Sequence, residues 1–190
     1  MLKRLFKSKA EVEVLGVVLF KERLHLREIA RQANITPSET KRELDNLVKL
    51  GILKKEKKGN LVLFYTNKKC PFLNELQNLY LKTDGIYPIL KKELSYLNLK
   101  FAIVYGSMAK GNFDEKSDID ILLIGEDINE DKLIKTIMKT QKKTNREINY
   151  ILWNEKELRE KIKNKGAFIN SVLKEPKIML IVDENEFKRS

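Results

Sequence analysis

A single cysteine, Cys70, and a single histidine, His25, stand in 190 residues. One cysteine excludes an intramolecular disulfide and any cysteine metal cluster. One histidine excludes a His–His metal site and a two-histidine proton relay. Cys70 therefore reads as a packed thiol, and His25 as a helix cap or surface residue. Long apolar runs are also missing, since none approaches the roughly 20 residues that span a bilayer. The N-terminal stretch MLKRLFKSKAEVEVLGVVLF sets basic residues before an apolar run, but Glu11 and Glu13 interrupt it. No small-residue cleavage site follows, so the run is expected to be a helix in a cytoplasmic protein with no membrane partner.

What is present is an ordinary apolar share, 42%, and a lopsided charge. Residues 1–83 carry 18 Lys+Arg against 9 Asp+Glu, whereas residues 84–190 carry 20 against 18. The positive excess thus lies almost wholly in the first part. This suggests two units with different partners, the first suited to a polyanion such as nucleic acid. Asp84-Gly85 is the expected boundary, giving domains of 1–83 and 84–190.

The second part is organised around residues 101–124, FAIVYGSMAKGNFDEKSDIDILLI. An apolar run from Phe101 to Tyr105 reaches Gly106-Ser107, a polar loop follows, and Asp118 and Asp120 enter a second apolar run. On a strand, residues i and i+2 project to one face. Paired carboxylates there repel each other unless a cation sits between them, and such hard oxygen donors suit Mg²⁺ or Mn²⁺. The Gly-Ser pair at a strand end supplies backbone N–H groups where a phosphate can rest. Phosphoryl or nucleotidyl transfer is the chemistry this combination points to.

Gly106-Ser107, Ala109, Gly111 and Ser117-Asp118-Ile119-Asp120 together resemble the signature of the DNA polymerase β-like nucleotidyltransferase superfamily, in its minimal stand-alone branch. The resemblance implies that Asp118 and Asp120 are catalytic and hold the metal, with a nucleoside triphosphate as substrate. It also implies that Gly106, Ser107, Lys110 and Ser117, together with Asn112, line the phosphate side. The superfamily's third carboxylate falls at Asn149 on the strand expected over 146–153, where the side chain has no charge. Glu147, on the same face, is the candidate substitute.

Around this stretch the periodicity predicts helices over 86–97 and 133–143, the latter with Leu133, Ile134, Ile137 and Met138 inward. Strands are expected over 99–105, 119–124, 146–153 and 177–182, and helices over 155–163 and 167–173. Ser107 is expected to cap a short helix after Gly106.

In the first part, apolar spacing predicts a helix within 9–22 and another over 25–33. A third starts with Thr36 as N-cap, Pro37 at the first helical position and Glu39 closing a capping box. Its inward row is Thr40, Leu44, Leu47 and Val48, and Gly51 ends it. Two helices joined by a tight turn read as helix-turn-helix. Residues 52–57 and 61–66 then form a hairpin around Lys58-Gly59-Asn60. A final helix begins at Pro71.

The segment from Thr36 to Leu44, with Gly51-Ile52-Leu53, resembles an ArsR-type winged helix-turn-helix. The resemblance implies double-stranded DNA as partner, with Ser38, Lys41, Arg42 and Asp45 toward the major groove. Lys54, Lys55, Lys57 and Lys58 would lie on the phosphates, and a homodimer is implied by two-fold operator symmetry. The fold class expected is α+β or α/β: a winged helix domain, then a small nucleotidyltransferase domain with a mixed sheet flanked by helices.

The whole order resembles prokaryotic proteins described as predicted transcriptional regulators. Three functions follow: a DNA-binding regulator whose second domain binds or transfers a nucleotide, a nucleotidyltransferase modifying a protein, RNA or small molecule, or a toxin–antitoxin-like interaction protein with an inactive transferase fold.

Overall fold

In the computed structural model, residues 2, 6–111 and 117–182 are described. The chain divides into two compact units, Met1–Gly85 and Ile86–Ser190.

The first unit runs α1 (Lys9–Val18), β1 (Leu24–His25), α2 (Leu26–Ala33), α3 (Pro37–Lys49), β2 (Leu53–Lys58), β3 (Leu61–Thr66) and α4 (Leu73–Thr83). Each helix start has a visible chemical cause. Ser8 accepts a hydrogen bond from the Glu11 amide and opens α1. The single histidine, through Nδ1, accepts from the Glu28 amide and opens α2. Thr36 and Glu39 form the reciprocal capping box of α3, with Pro37 in the first turn, so two orphan amides are satisfied at once. At the other end, Gly51 (φ +73°) turns the chain left-handed. Gly51 N–H bonds to the Val48 carbonyl and Ile52 N–H to the Leu47 carbonyl, the paired closure that favours glycine after a helix.

The helix-turn-helix and hairpin thus take the winged arrangement. Val14, Leu15, Val18, Ile29, Leu44, Leu47, Phe64 and Leu76 share its core. The three-stranded sheet, in order β1-β3-β2, includes a strand that periodicity does not reveal. Leu24 pairs with Phe64 and His25 with Leu63, and α1 stops at Val18 to let the chain reach them.

The second unit runs α5 (Ile86–Leu94), β4 (Leu99–Tyr105), α6 (Gly106–Lys110), β5 (Ile119–Gly125), α7 (Glu130–Thr144), β6 (Ile148–Trp153), α8 (Glu155–Lys163), α9 (Ala167–Lys174) and β7 (Ile178–Val182). Its mixed sheet has the order β6-β5-β4-β7. The β5–β6 pair is parallel, joined through α7, and the other pairs are antiparallel. Central β5 is apolar at nearly every position because both of its faces are covered. On one face Phe101, Ile103, Tyr105, Leu122, Ile124, Ile151 and Trp153 meet Leu158, Phe168, Ile169 and Val172 of α8 and α9. Ala102, Val104, Ile119, Ile121 and Leu123 alternate with these and are buried on the opposite face.

One expectation about a helix face is corrected. In α7, Leu133, Ile137 and Thr140 are buried, while Ile134 and Met138 remain 45% and 54% exposed. The buried stripe is narrower than apolar spacing suggests, and Thr140 joins it by donating its hydroxyl proton to the Thr136 carbonyl. In α5, Tyr87 and Glu93 are buried and Ile89 only partly so. Glu93 is tolerated there because Lys139 and Lys143 of α7 reach it at 2.9 and 2.6 Å.

Candidate active site and charged surface

β4 ends at Tyr105, which pairs in register with Asp120 of β5, and Asp120 pairs on its other side with Asn149 of β6. Three strands therefore bring one turn, one acid and one amide together. Gly106 follows at once with φ +73°, and a Cβ on it would lie 2.6 Å from Asp120 Oδ2. Only glycine combines that backbone conformation with that approach. The other Asp120 oxygen, Oδ1, accepts a long 3.4 Å hydrogen bond from Asn149 Nδ2. The Tyr105 ring packs edge-on against Phe168, 5.2 Å between centroids. Burial, and then the Asp120 charge, push its phenol pKa up.

The remaining residues expected at this site are distributed unevenly. Asp118 is exposed just before β5, with fully buried Ile119 between it and half-buried Asp120. Ser107 lies inside α6; that helix starts from Tyr105 without a side-chain cap, so Ser107 is not the cap expected of it. Its carbonyl instead accepts from Gly111, whose φ of +79° ends the helix. Ser117 offers its carbonyl to Arg146 Nη1 at 2.6 Å. Glu147 is exposed, and its backbone carbonyl accepts from Ile119 N–H at 2.9 Å. Among the described residues no three acids, histidines or cysteines converge to hold a metal ion. Asn112 lies outside the described residues.

Three contributors escaped sequence reasoning. Buried Tyr87 donates its hydroxyl proton to the Met108 carbonyl and anchors α6 to α5; burial pushes its pKa to about 12. Arg146 fixes the approach to Asp118 through Ser117. Glu175 Oε2, at the residue that ends α9, holds Lys110 Nζ of α6 at 2.6 Å. Tyr87 and Glu175 bond across long sequence separations, and no local spacing signals such a partner.

In the first unit, Ser38, Lys41 and Arg42 are exposed on α3. Arg42 pairs with buried Glu43 at 2.8 Å, and Asp45 meets Lys55 at 3.6 Å. All the β2 positions from Lys54 to Lys58 are exposed. Lys54, Lys57 and Lys58 carry no ion pair among the described residues.

Residues 85–175 match the profile of the family described as polymerase beta, nucleotidyltransferase. A candidate protein adenylyltransferase of Methanocaldococcus jannaschii is 36% identical over 81 residues, covering 43% of this chain and 78% of that protein. The chain belongs to the polymerase beta nucleotidyltransferase family.

The nucleotidyltransferase match falls on the unit that holds Gly106, Asp120 and Asn149. Solved structures similar to this chain include two whose likeness falls on different functions. A candidate nucleotidyltransferase from Sulfolobus solfataricus is 21% identical, covering 56% of this chain and 81% of that one, with a TM-score of 0.32. The adhesin competence repressor of Streptococcus pyogenes is 20% identical, covering 48% and 72%, with a TM-score of 0.37. No described helix is long and apolar enough to cross a membrane.

Proposed function

We propose that the second unit binds a nucleoside triphosphate with Mg²⁺ or Mn²⁺, and that the first binds double-stranded DNA. The chain would then be a transcriptional regulator carrying a nucleotide site. One observation carries the nucleotide half: the Asp120 carboxylate lies against Gly106, at the start of a turn that can present backbone N–H groups to phosphate. Asp118 and Asp120 offer the hard oxygens a divalent cation takes, and Gly106, Ser107, Lys110 and Ser117 form the phosphate side. The cation, when bound, neutralises phosphate charge. Asn149 opposite Asp120 leaves two carboxylates rather than three, which favours binding over turnover.

A second reading is nucleotidyl transfer to a protein, RNA or small molecule. Its support is the likeness to the archaeal protein, whose name describes protein adenylylation. Here Glu147 would take the acceptor's hydroxyl proton, the oxygen would attack the α-phosphorus in line, and pyrophosphate would leave. General-base help of this kind contributes roughly 10²–10⁴-fold.

The DNA half draws support from exposed Ser38, Lys41 and Arg42 beside the wing lysines, and from the ArsR-type pattern of the sequence. A homodimer belongs to this reading; Phe72 and Leu79 leave apolar surface exposed on and beside α4.

The deciding experiment incubates the protein with Mg²⁺, α-labelled nucleoside triphosphates and cell extract, beside an Asp118→Asn/Asp120→Asn control. Mg²⁺-dependent nucleotide binding without label transfer is expected. Transfer that the control loses would establish the enzyme instead, and absence of both would overturn both readings. Separately, Lys41→Ala/Arg42→Ala should lose affinity for the DNA upstream of its own gene; unchanged affinity would refute the α3 assignment.

A further inference from the structure

The Lys110–Glu175 ion pair joins α6 to the residue that ends α9. Neither partner is buried: the side chains are 39% and 43% exposed. An exposed pair of this kind adds little to stability, so its consequence lies in what Lys110 is kept from doing. Lys110 closes the five-residue helix that begins at Gly106, beside the carboxylate of Asp120. A phosphate oxygen arriving there and Glu175 Oε2 need the same ammonium group. Hydrogen bonding from Lys110, then its charge, keeps the Glu175 carboxyl below the usual carboxylate range, so the competitor is fully ionised at neutral pH.

We propose that Glu175 is a built-in counter-anion that occupies Lys110 in the empty site, and that a triphosphate must displace it to bind. This rests on the nucleotide-site reading above. Glu175 thereby sets affinity according to the number of phosphates. A triphosphate extends past Gly106 and Ser107 to Lys110 and bears the cost of displacement. A monophosphate stops short of Lys110 and does not.

The test is calorimetric titration of the full chain with ATP and with AMP, in Mg²⁺. Glu175→Gln should tighten ATP about two- to five-fold, the scale of an exposed ion pair, and leave AMP unchanged. Glu175→Ala should act alike. Lys110→Ala should weaken ATP, and Glu175→Gln should add nothing in that background. Unchanged or weaker ATP binding by Glu175→Gln overturns the proposal, as does an equal gain for AMP or a gain that survives Lys110→Ala. Wild-type protein that binds no ATP overturns the nucleotide-site reading and this proposal with it, and is thereby distinguished from failure of this proposal alone.

Discussion

The two units use lysine in opposite ways. On the wing, Lys54, Lys57 and Lys58 stand on an exposed strand without acidic partners among the described residues. In the second unit, Lys139 and Lys143 converge on buried Glu93, and Lys110 is held by Glu175. The first arrangement leaves positive charge uncompensated for an outside polyanion. The second uses the same residue type, still partly exposed, as counter-ion for acids of the chain itself. The charge balance carries the same difference, since 18 Lys+Arg stand against 9 Asp+Glu in residues 1–83 and 20 against 18 in residues 84–190.

The comparison can be broken in four places. The largest effect is expected where neither unit relies on charge. Leu122→Ala opens a cavity in the fully buried core beneath α8 and α9 and should cost about 2–5 kcal/mol. The sole tryptophan, Trp153, borders that core, so its fluorescence in a urea titration reports the loss. Second, Lys54→Ala/Lys57→Ala/Lys58→Ala should lower the salt dependence of DNA binding by roughly 2–3 in log–log slope, about 0.9 per lost phosphate contact. An unchanged slope would mean that these lysines are solvated and the contrast between units is illusory.

Third, Gly106→Ala forces a methyl into the Asp120 carboxylate at φ +73°. It should cost about 1–3 kcal/mol in thermal unfolding and abolish nucleotide binding. The smallest effect concerns Glu93, whose carboxyl is held down to about 2 by Lys143 and then Lys139. A folded-state pKa below the unfolded one gives stability that is full above the ordinary carboxylate range and is lost as pH falls toward 2. Glu93→Gln should therefore flatten that acid-side loss, measured as unfolding midpoints across the same range. A pH profile identical to wild type would show that the two lysines do not stabilise the buried acid.

Much of the fold could be read from residues because its signals are local. The Thr36–Glu39 box, Gly51 after α3 and the apolar runs flanking Gly106 each act within a few positions. The two-residue β1 was invisible since no periodicity survives at that length. The face of α7 was misjudged because which of several apolar stripes is buried depends on the partner helix, and Lys139 and Lys143 had to stay near Glu93. At the site, Asp120 and Gly106 were legible by spacing, and the alignment of Asn149 with Asp120 followed once the strands were placed. Tyr87 and Glu175 were not legible: each reaches a partner, Met108 or Lys110, that is set by tertiary folding alone.

The seating of Asp120 on Gly106 also bears on how the sequence can drift. A side chain at position 106 would meet the Asp120 carboxylate, in a left-handed backbone conformation, whether or not any nucleotide is ever transferred. Backbone conformation and packing together therefore disfavour replacement there by about 1–3 kcal/mol, a cost that would persist in a descendant that had lost all chemistry. Mutational tolerance at this site is thus asymmetric. Position 149, exposed on an edge strand beside Asp120, carries no such steric constraint.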